Sequence, residues 1–219
     1  MRNILIVVGG AVAVAAIAAG VYFGTRPPAA GQPPMAVSAA PDKTALLAVQ
    51  PGDHVLGDPK APVTIIEYAS LTCSHCAHFH TQILPDLKKK WIDTGKLRLI
   101  HRHFPSDMVA TRASQLTECA PSDKFFVMVD RLFRKQVDWL SVGDPLVEMV
   151  KVLASQGVTT EGAQACFAND RLLDKVLADV QSGQALGVRF TPTLFINEEN
   201  YANPGTADAI SAILRQVGR

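Results

Sequence analysis

The chain has 219 residues, is 48% hydrophobic by composition and carries a formal net charge of only +1 at pH 7. This length predicts one domain of ordinary size, with room for an inserted subdomain and enough apolar residues for a core. The balanced charge gives no support for a nucleic-acid-binding protein, so no nucleic-acid partner is expected. Of the four cysteines, two form a C-x-x-C motif.

The N-terminal part begins with an apolar run over residues 4–23 that contains no charged residue. About 20 such residues can span a bilayer as a helix. Arg2 and the α-amino group precede the run, so the positive-inside rule keeps the N-terminus cytoplasmic and exports the rest. The alternative is a cleaved signal peptide, whose apolar core is normally shorter. We therefore predict an N-terminal transmembrane helix that anchors the protein.

The next segment, residues 25–50, is rich in proline, alanine and glycine and has few large apolar side chains. This composition is typical of an extended, semi-rigid linker that holds a domain away from a membrane. Residues 44–50, at its end, have the composition of a short first strand. The turn sequence Gly57-Asp58-Pro59 then leads into a second strand.

A strand and a helix enclose the C-x-x-C motif. Residues 63–69 are rich in β-branched and aromatic residues, which favours a strand. From Phe79 to Trp91 apolar residues recur at helical spacing, and Pro85 predicts a kink in that helix. The motif therefore lies where a strand ends and a helix begins.

This position favours the reactive form of the first cysteine, Cys73. At a helix N-terminus, unpaired backbone N–H groups and the helix dipole stabilise an anion, and the thiolate is the nucleophilic form of cysteine. His75, if protonated, adds a positive charge beside Cys73. We therefore interpret Cys73 and Cys76 as a site of thiol–disulfide exchange.

A zinc site is the competing interpretation of the motif. His78 and His80 follow the cysteines closely, and on a helix Cys76 and His80 would share a face. A structural zinc site usually takes its ligands from two separated pairs, however, and the sequence has no second C-x-x-C. We therefore predict no metal at this site.

Glu67 lies on the same face of the predicted strand as Val63 and Ile65, because side chains alternate along a strand. We expect its carboxylate to be buried, and burial would raise its pKa and let it exchange a proton with the cysteines. The alternative is an edge-strand glutamate that reaches water.

The remaining elements follow from changes in periodicity. Residues 97–104 read as a strand, in which we interpret His101 and His103 as packed or surface residues rather than ligands. Residues 106–187 change to helical periodicity. Residues 187–197 return to a strand pattern, although Pro192 within it needs a special reason. A terminal helix is predicted over residues 206–217.

This order of elements resembles the thioredoxin fold, and the inserted helices resemble its DsbA-like branch. The matching segments are residues 57–63, 67–68, 73–76 and 187–193. The fold class is therefore predicted as α/β, a thioredoxin fold with an inserted α-helical subdomain, preceded by the N-terminal transmembrane helix. The predicted divisions are a membrane anchor or signal segment (1–24), a linker (25–50), the first part of the thioredoxin fold (51–105), a helical insertion (106–187) and the second part with a cis-proline loop (188–219).

The resemblance implies a role for each site residue. Cys73 would be the nucleophile and Cys76 the resolving cysteine. Pro192 matches the cis-proline that faces the disulfide, and Thr191 would offer backbone groups to an extended substrate. Glu67 matches the buried acidic residue of the family.

Two positions depart from the family pattern. After Asn197 the chain has Glu198-Glu199-Asn200 where a glycine turn is common, so a longer or looser hairpin is expected there. Ser74 stands where the best-known members carry proline, which leaves the oxidising strength of the site open.

The resemblance also implies a function: a thiol–disulfide oxidoreductase that introduces disulfide bonds into exported proteins. A reductase or isomerase of the same fold is the alternative within enzymes, and a non-redox binding or chaperone module is the alternative of another class. No cofactor is expected. The implied partners are reduced exported proteins and a membrane redox partner that reoxidises Cys73 and Cys76. The implied location is extracytoplasmic, in a bacterial periplasm or at the outer face of the inner membrane.

Cys119 and Cys166 form a possible second pair. Both fall in the predicted helical insertion of an exported chain, and such compartments permit disulfides. We predict a structural disulfide between them. The alternative is two separately buried free cysteines.

Overall fold

The computed structural model describes residues 42–202 and 205–218. The predicted membrane segment at residues 4–23 and the greater part of the predicted linker lie outside these residues. Within the part of the chain that the structure describes, no helix is both long enough and apolar enough to cross a membrane.

A five-stranded mixed sheet forms the centre of the fold, with the strand order β1-β3-β2-β4-β5. Strands β2 and β3 are parallel, and the other neighbouring pairs are antiparallel. The strands are β1 (His54–Leu56), β2 (Val63–Ala69), β3 (Leu97–His103), β4 (Thr193–Ile196) and β5 (Glu199–Ala202).

The middle strand of this sheet is β2, and six of its seven residues are buried. Glu67 is paired with His101 of β3 on one side and with Leu194 of β4 on the other. Its side chain is fully buried. The interpretation of Glu67 as an edge-strand residue is therefore wrong, and the predicted burial is confirmed.

Helix α2 is a continuous helical run over residues 74–92 that begins directly after Cys73. Its α-helical turns, Ser74–His78 and Leu84–Leu87, alternate with the wider π-helical turns Phe79–Ile83 and Lys88–Ile92. The first π-helical turn ends two residues before Pro85, whose ring cannot fit a regular α-helical backbone. The predicted disturbance by Pro85 thus takes the form of a widened turn.

Six helices lie between β3 and β4, where residues 106–187 were predicted as a helical insertion. Their apolar faces form a core with the buried aromatic residues Phe125, Phe133 and Trp139, and Cys76 belongs to the same core. The helices are α3 (Met108–Glu118), α4 (Phe125–Arg134), α5 (Gln136–Leu140), α6 (Pro145–Leu153), α7 (Thr160–Phe167) and α8 (Asp170–Ala185).

The C-terminal part differs from its predicted form in two places. The hairpin after β4 is tight and not longer or looser, because only Asn197 and Glu198, both with positive φ, join Ile196 to Glu199. The predicted strand of residues 187–197 is shorter, because β4 begins only at Thr193. The preceding residues form a loop that contains a cis Thr191–Pro192 peptide bond. The terminal helix, α9 (Ala207–Val217), is capped by the side chain of Thr206.

The predicted linker ended at residue 50, but its last residues are folded onto the domain. Lys43–Leu47 forms a short helix, α1, and not the predicted strand. The buried Arg102 fixes this segment: its guanidinium donates to the carbonyl oxygens of Leu46 and Ala48 and pairs with the carboxylate of Asp53. These partners lie far from Arg102 in sequence, so local composition could not indicate them.

Candidate active site

Cys73 is the N-terminal capping residue of α2 and has an extended backbone there. Its N–H donates to the carbonyl oxygen of Ser70 at 3.1 Å, and its own carbonyl oxygen accepts the N–H of Ala77 at 3.0 Å. Its side chain is partly exposed, whereas Cys76, one turn into the helix, is fully buried. Both cysteines are free thiols. The pair thus has one accessible sulfur and one shielded sulfur.

The pKa of the Cys73 thiol is lowered to about 5. The largest cause is a hydrogen bond from the Cys76 thiol, which outweighs the opposing effect of partial burial; the backbone N–H groups of Cys76 and His75 also stabilise the thiolate. Cys73 is therefore ionised at neutral pH. A thiolate at this position can attack a disulfide or leave from one.

Cys76 behaves in the opposite way. Burial raises the pKa of its thiol far above the ordinary range, and both its hydrogen bond to Cys73 and the negative charge of Glu67 act in the same direction. Cys76 therefore keeps its proton while Cys73 is ionised. The two sulfurs have the chemical difference that a nucleophile and a resolving thiol require.

The loop before β4 faces Cys73. The Cys73 thiol donates to the carbonyl oxygen of Thr191 at 3.3 Å, and the Thr191–Pro192 peptide bond is cis. The carbonyl oxygen of Thr191 can accept a hydrogen bond only from the protonated form of Cys73. The side chain of Thr191 instead lowers the pKa of Cys73 through a hydrogen bond. Phe190, directly before Thr191, is 54% exposed. The structure thus brings Thr191 and Pro192 to the reactive cysteine from the other end of the domain.

Glu67 differs from its prediction in the direction of its pKa. Burial acts to raise this pKa, but the positive charge of His80 and hydrogen bonds from His101 and His80 outweigh it and lower the pKa to about 2. Glu67 Oε2 lies 2.8 Å from His80 Nε2 and 3.3 Å from His101 Nδ1. The prediction that burial raises this pKa is wrong, because two imidazoles stabilise the carboxylate.

His75 contributes to the site through its backbone N–H, and the effect of its side-chain charge stays a prediction. Its N–H is among the groups that lower the pKa of Cys73. Its side chain is exposed, and among the hydrogen bonds of residues 42–202 and 205–218 none joins its imidazole to a cysteine sulfur. Solvent screens a charge at such a position.

A second layer of ionisable groups lies behind Glu67. The rings of His101 and His103 are 5.0 Å apart between centroids. His103 Nε2 lies 3.2 Å from one carboxylate oxygen of Glu118, and His54 Nε2 lies 3.0 Å from the other. Burial lowers the pKa of His101 to about 4, although Glu67 opposes this shift. His101 and His103 are packed inside the domain, in agreement with their interpretation from the sequence.

Glu67, His80 and His101 are the one group of potential metal ligands that the structure brings together among the residues it describes, with ligand atoms within 4.8 Å of one another. Their mutual hydrogen bonds account for this arrangement. His101 Nε2 has no hydrogen-bond partner, whereas a metal-bound histidine usually donates its other N–H to one. We therefore treat the group as hydrogen-bonded. The zinc alternative, in which His78 and His80 join the two cysteines of the C-x-x-C motif, does not appear as a group of potential ligands among the described residues.

Gln136 is a site residue that the sequence did not reveal. Its amide nitrogen donates to the carbonyl oxygens of Leu71 and Cys73, at 2.8 and 3.1 Å. It thereby fixes the backbone before α2 from the first turn of α5, in the helical insertion. A single glutamine in a helical sequence carries no signal for this contact, because its partners lie more than 60 positions away.

Cys119 and Cys166 form a disulfide, which is the pairing that the sequence predicted. It joins the end of α3 to α7, and its Cα atoms are 5.9 Å apart. The alternative of two free cysteines is therefore wrong. The bridge lies within the helical insertion and holds two of its helices together.

Comparisons of the sequence identify its relatives. A family model described as thioredoxin matches residues 49–216. A protein of Rickettsia bellii named as a protein-disulfide oxidoreductase is 30% identical over 176 residues, a match that covers 77% of this chain and 67% of that protein. The match to a protein of Rickettsia felis with the same name covers 62% of that protein. The chain therefore spans about two thirds of the length of these relatives. Disulfide bond formation protein D of Bacillus subtilis is 25% identical, with 75% of this chain and 77% of that protein covered.

Solved structures of related proteins superpose on this chain. Alpha-DsbA1 of Wolbachia pipientis superposes with a TM-score of 0.72 at 30% sequence identity, covering 81% of this chain and 96% of that chain. BdbD of Bacillus subtilis, in its oxidised form, superposes with a TM-score of 0.67 at 22% identity, covering 76% and 93% of the two chains. Because BdbD is only 22% identical to this chain, this second superposition shows a shared fold and nothing more.

Proposed function

Because the chain belongs to the thioredoxin family and is a thiol–disulfide oxidoreductase related to DsbA, we propose that it introduces disulfide bonds into exported proteins. The observation that carries the proposal is the difference between its two sulfurs. Cys73 is accessible with a pKa lowered to about 5, and Cys76 is buried with a raised pKa. A disulfide whose reduction yields a stabilised thiolate accepts electrons readily, which supports the oxidase direction.

The proposed reaction starts from the Cys73–Cys76 disulfide. A substrate thiolate attacks the sulfur of Cys73, the bond between the two cysteines breaks, and Cys76 leaves with the electron pair and takes up a proton. A second substrate thiolate then attacks the substrate sulfur of the mixed disulfide and expels Cys73 as a thiolate. The substrate gains a disulfide, and the enzyme has gained two electrons.

The positions of the other residues fit this sequence of steps. The backbone of Thr191 beside Cys73 is placed to bind an extended segment of the substrate. The negative charge of Glu67 acts on Cys76, which must gain a proton in the first step and lose it when the enzyme is reoxidised. Reoxidation requires an acceptor of two electrons, and we propose a membrane redox partner for that step.

The location belongs to the same proposal. The Cys119–Cys166 disulfide supports an oxidising compartment, because structural disulfides are rare where thiols are kept reduced. The apolar run of residues 4–23 supports export and, if it is retained, attachment to the membrane. Together they favour an extracytoplasmic enzyme.

Equilibration with glutathione buffers tests the direction of the reaction. We expect the Cys73–Cys76 couple to have a potential more oxidising than about −200 mV, beyond the thioredoxin and glutaredoxin couples. The oxidised protein should also form disulfides in a reduced model protein. A potential near about −270 mV, as in thioredoxin, would overturn the oxidase proposal in favour of a reductase.

A further inference from the structure

His80 lies between the redox site and a second, solvent-facing region. On one side its Nε2 is 2.8 Å from Glu67 Oε2, and the negative charge of Glu67 acts on the Cys76 thiol. His80 is four residues after Cys76 on the same helix, and both side chains are buried. The imidazole is therefore hydrogen-bonded to the carboxylate whose charge acts on Cys76.

On the other side His80 lines a cavity of about 380 Å³ between α2 and α4. The cavity walls include the apolar side chains of Leu84 and Phe126, and Lys88, Asp130 and Arg134 also line it. Lys88 and Arg134 are exposed, and the volume holds water easily. A proton on His80 thus has a short route to bulk solvent.

We propose that His80 carries the Cys76 proton between Glu67 and this cavity, so that the imidazole is the proton donor and acceptor for Cys76. The inference rests on the proposed function, since it describes the proton that the disulfide exchange requires. The proposal gives His80 a role in the reaction beside the two cysteines and Glu67.

The reaction balances in both directions. When Cys76 leaves the disulfide as a thiolate, the imidazolium of His80 gives a proton through Glu67 to the Cys76 sulfur, and neutral His80 regains one from water. When Cys76 attacks the sulfur of Cys73 in a mixed disulfide, His80 first releases its proton to water in the cavity, and the neutral imidazole then takes the Cys76 proton through Glu67. The bond between Cys73 and the other sulfur breaks, and that sulfur leaves as a thiolate.

The surroundings explain why an imidazole is needed. Glu67, with a pKa lowered to about 2, does not hold a proton at neutral pH. His101 has a pKa lowered to about 4 and is likewise unprotonated there. The charged or titratable groups that surround His80 are Glu67 on β2, His101 on β3, Lys88 on α2, and Asp130 and Arg134 on α4.

The test separates the chemistry of the two cysteines within one reaction. An aromatic disulfide such as dithiobisnitrobenzoate reacts first with the Cys73 thiolate and releases one coloured thiolate. Cys76 then attacks Cys73 and releases the second. In a His80→Gln variant the second phase should slow by about 100-fold, the lower end of general acid–base effects, and the first phase should stay unchanged. The pH dependence of the second phase should also change.

His78→Gln is the matched control, because His78 is exposed on the same helix. An equally fast second phase in His80→Gln and His78→Gln would overturn the proposal. The measurement does not depend on the direction of physiological transfer. A reducing potential of the Cys73–Cys76 couple would therefore reject the oxidase function but would leave the proposed role of His80 unaffected.

A second variant tests the cavity without changing His80. Val127 lines the cavity and is 46% exposed, so Val127→Trp should fill it without disturbing the core. We expect the second phase to slow by about tenfold, as solvent is displaced from His80. Val147→Trp, at another surface position that is 50% exposed, should have no effect. If the second phase slows in His80→Gln but not in Val127→Trp, the part of the proposal that concerns the cavity is wrong.

Discussion

The sulfur of Cys73 lies 3.3 Å from the carbonyl oxygen of Thr191, although the two residues are 118 positions apart in the sequence. The first belongs to the start of α2 and the second to the loop before β4, with the helical insertion between them. The contact therefore forms only when both halves of the sheet have assembled. A disulfide-exchange site that depends on it exists in the folded domain and not in a fragment.

Single cysteine variants should separate the two chemical roles. Cys76→Ala leaves the Cys73 thiolate without its resolving partner, so mixed disulfides with substrate proteins should accumulate. Cys73→Ala should abolish exchange, because the remaining sulfur is buried and protonated. Non-reducing electrophoresis, with a reduced sample as the control, measures the adducts. Abundant adducts in Cys73→Ala would contradict the assignment.

The stability of the reduced protein should depend on pH through Cys73. Its pKa is lowered from about 9 to about 5, so between these values the unfolded chain binds the extra proton. Stability therefore rises with pH from 5 toward 9 and is lost as the pH falls through 5. Urea unfolding of the reduced wild type and of Cys73→Ser measures this contribution as their difference. A difference that stays constant between pH 5 and pH 8 would contradict the lowered pKa.

Two substitutions of His75 should have different effects on the Cys73 pKa. His75→Leu removes an exposed imidazole and should shift the pKa little. His75→Pro removes the backbone N–H that stabilises the thiolate and should raise the pKa, while proline is tolerated in the first helical turn. Ultraviolet absorbance of the thiolate against pH gives both values. A larger shift in His75→Leu than in His75→Pro would restore the predicted role of the charge.

Removal of the Cys119–Cys166 disulfide should destabilise the domain. The bridge closes a loop with a sequence separation of 47 residues. In the chain-entropy model this corresponds to about 4 kcal/mol of unfolding free energy. Denaturant unfolding of the Cys119→Ala/Cys166→Ala double variant measures the loss. Alkylation of the unfolded, unreduced wild type serves as the control, and labelling of both cysteines would contradict the bridge.

Gln136 should stabilise the backbone before the redox helix. In Gln136→Leu the buried carbonyl oxygen of Leu71 loses the hydrogen bond that Gln136 donates, which costs about 1–3 kcal/mol. Gln82→Leu, at an exposed position of α2, should have a much smaller effect. Thermal unfolding of the two variants compares them. Equal stability would show that the amide contributes nothing at this site.

The sheet centre and the redox helix could be predicted because their signals are local. Val63–Ala69 is a nearly continuous run of strand-forming residues, and the helix after Cys76 shows regular apolar spacing. The predicted strand over the residues before Thr193 is wrong, because these residues form a cis-proline loop. A loop of this kind and a buried strand can contain the same types of apolar residue. A resemblance to a family, and not the composition, indicated Pro192.

The direction of the Glu67 pKa shift could not be predicted from the sequence, in contrast to the stabilised thiolate of Cys73. The pKa of Glu67 depends on His80, 13 positions away, and on His101, 34 positions away. Periodicity shows that Glu67 is buried but not which groups share its interior. The balance between desolvation and two imidazoles decides the sign of the shift, and that balance is a property of the tertiary structure.

The buried guanidinium of Arg102 determines where the folded unit starts. It relies on the carbonyl oxygens of Leu46 and Ala48 and on Asp53 for its hydrogen bonds and countercharge. A chain truncated to begin at the first strand would keep this cation in the interior and lose all three acceptors. Such a truncation would destabilise the domain even though every strand and both redox cysteines were retained. The minimal autonomous domain therefore includes the short helix at Lys43–Leu47.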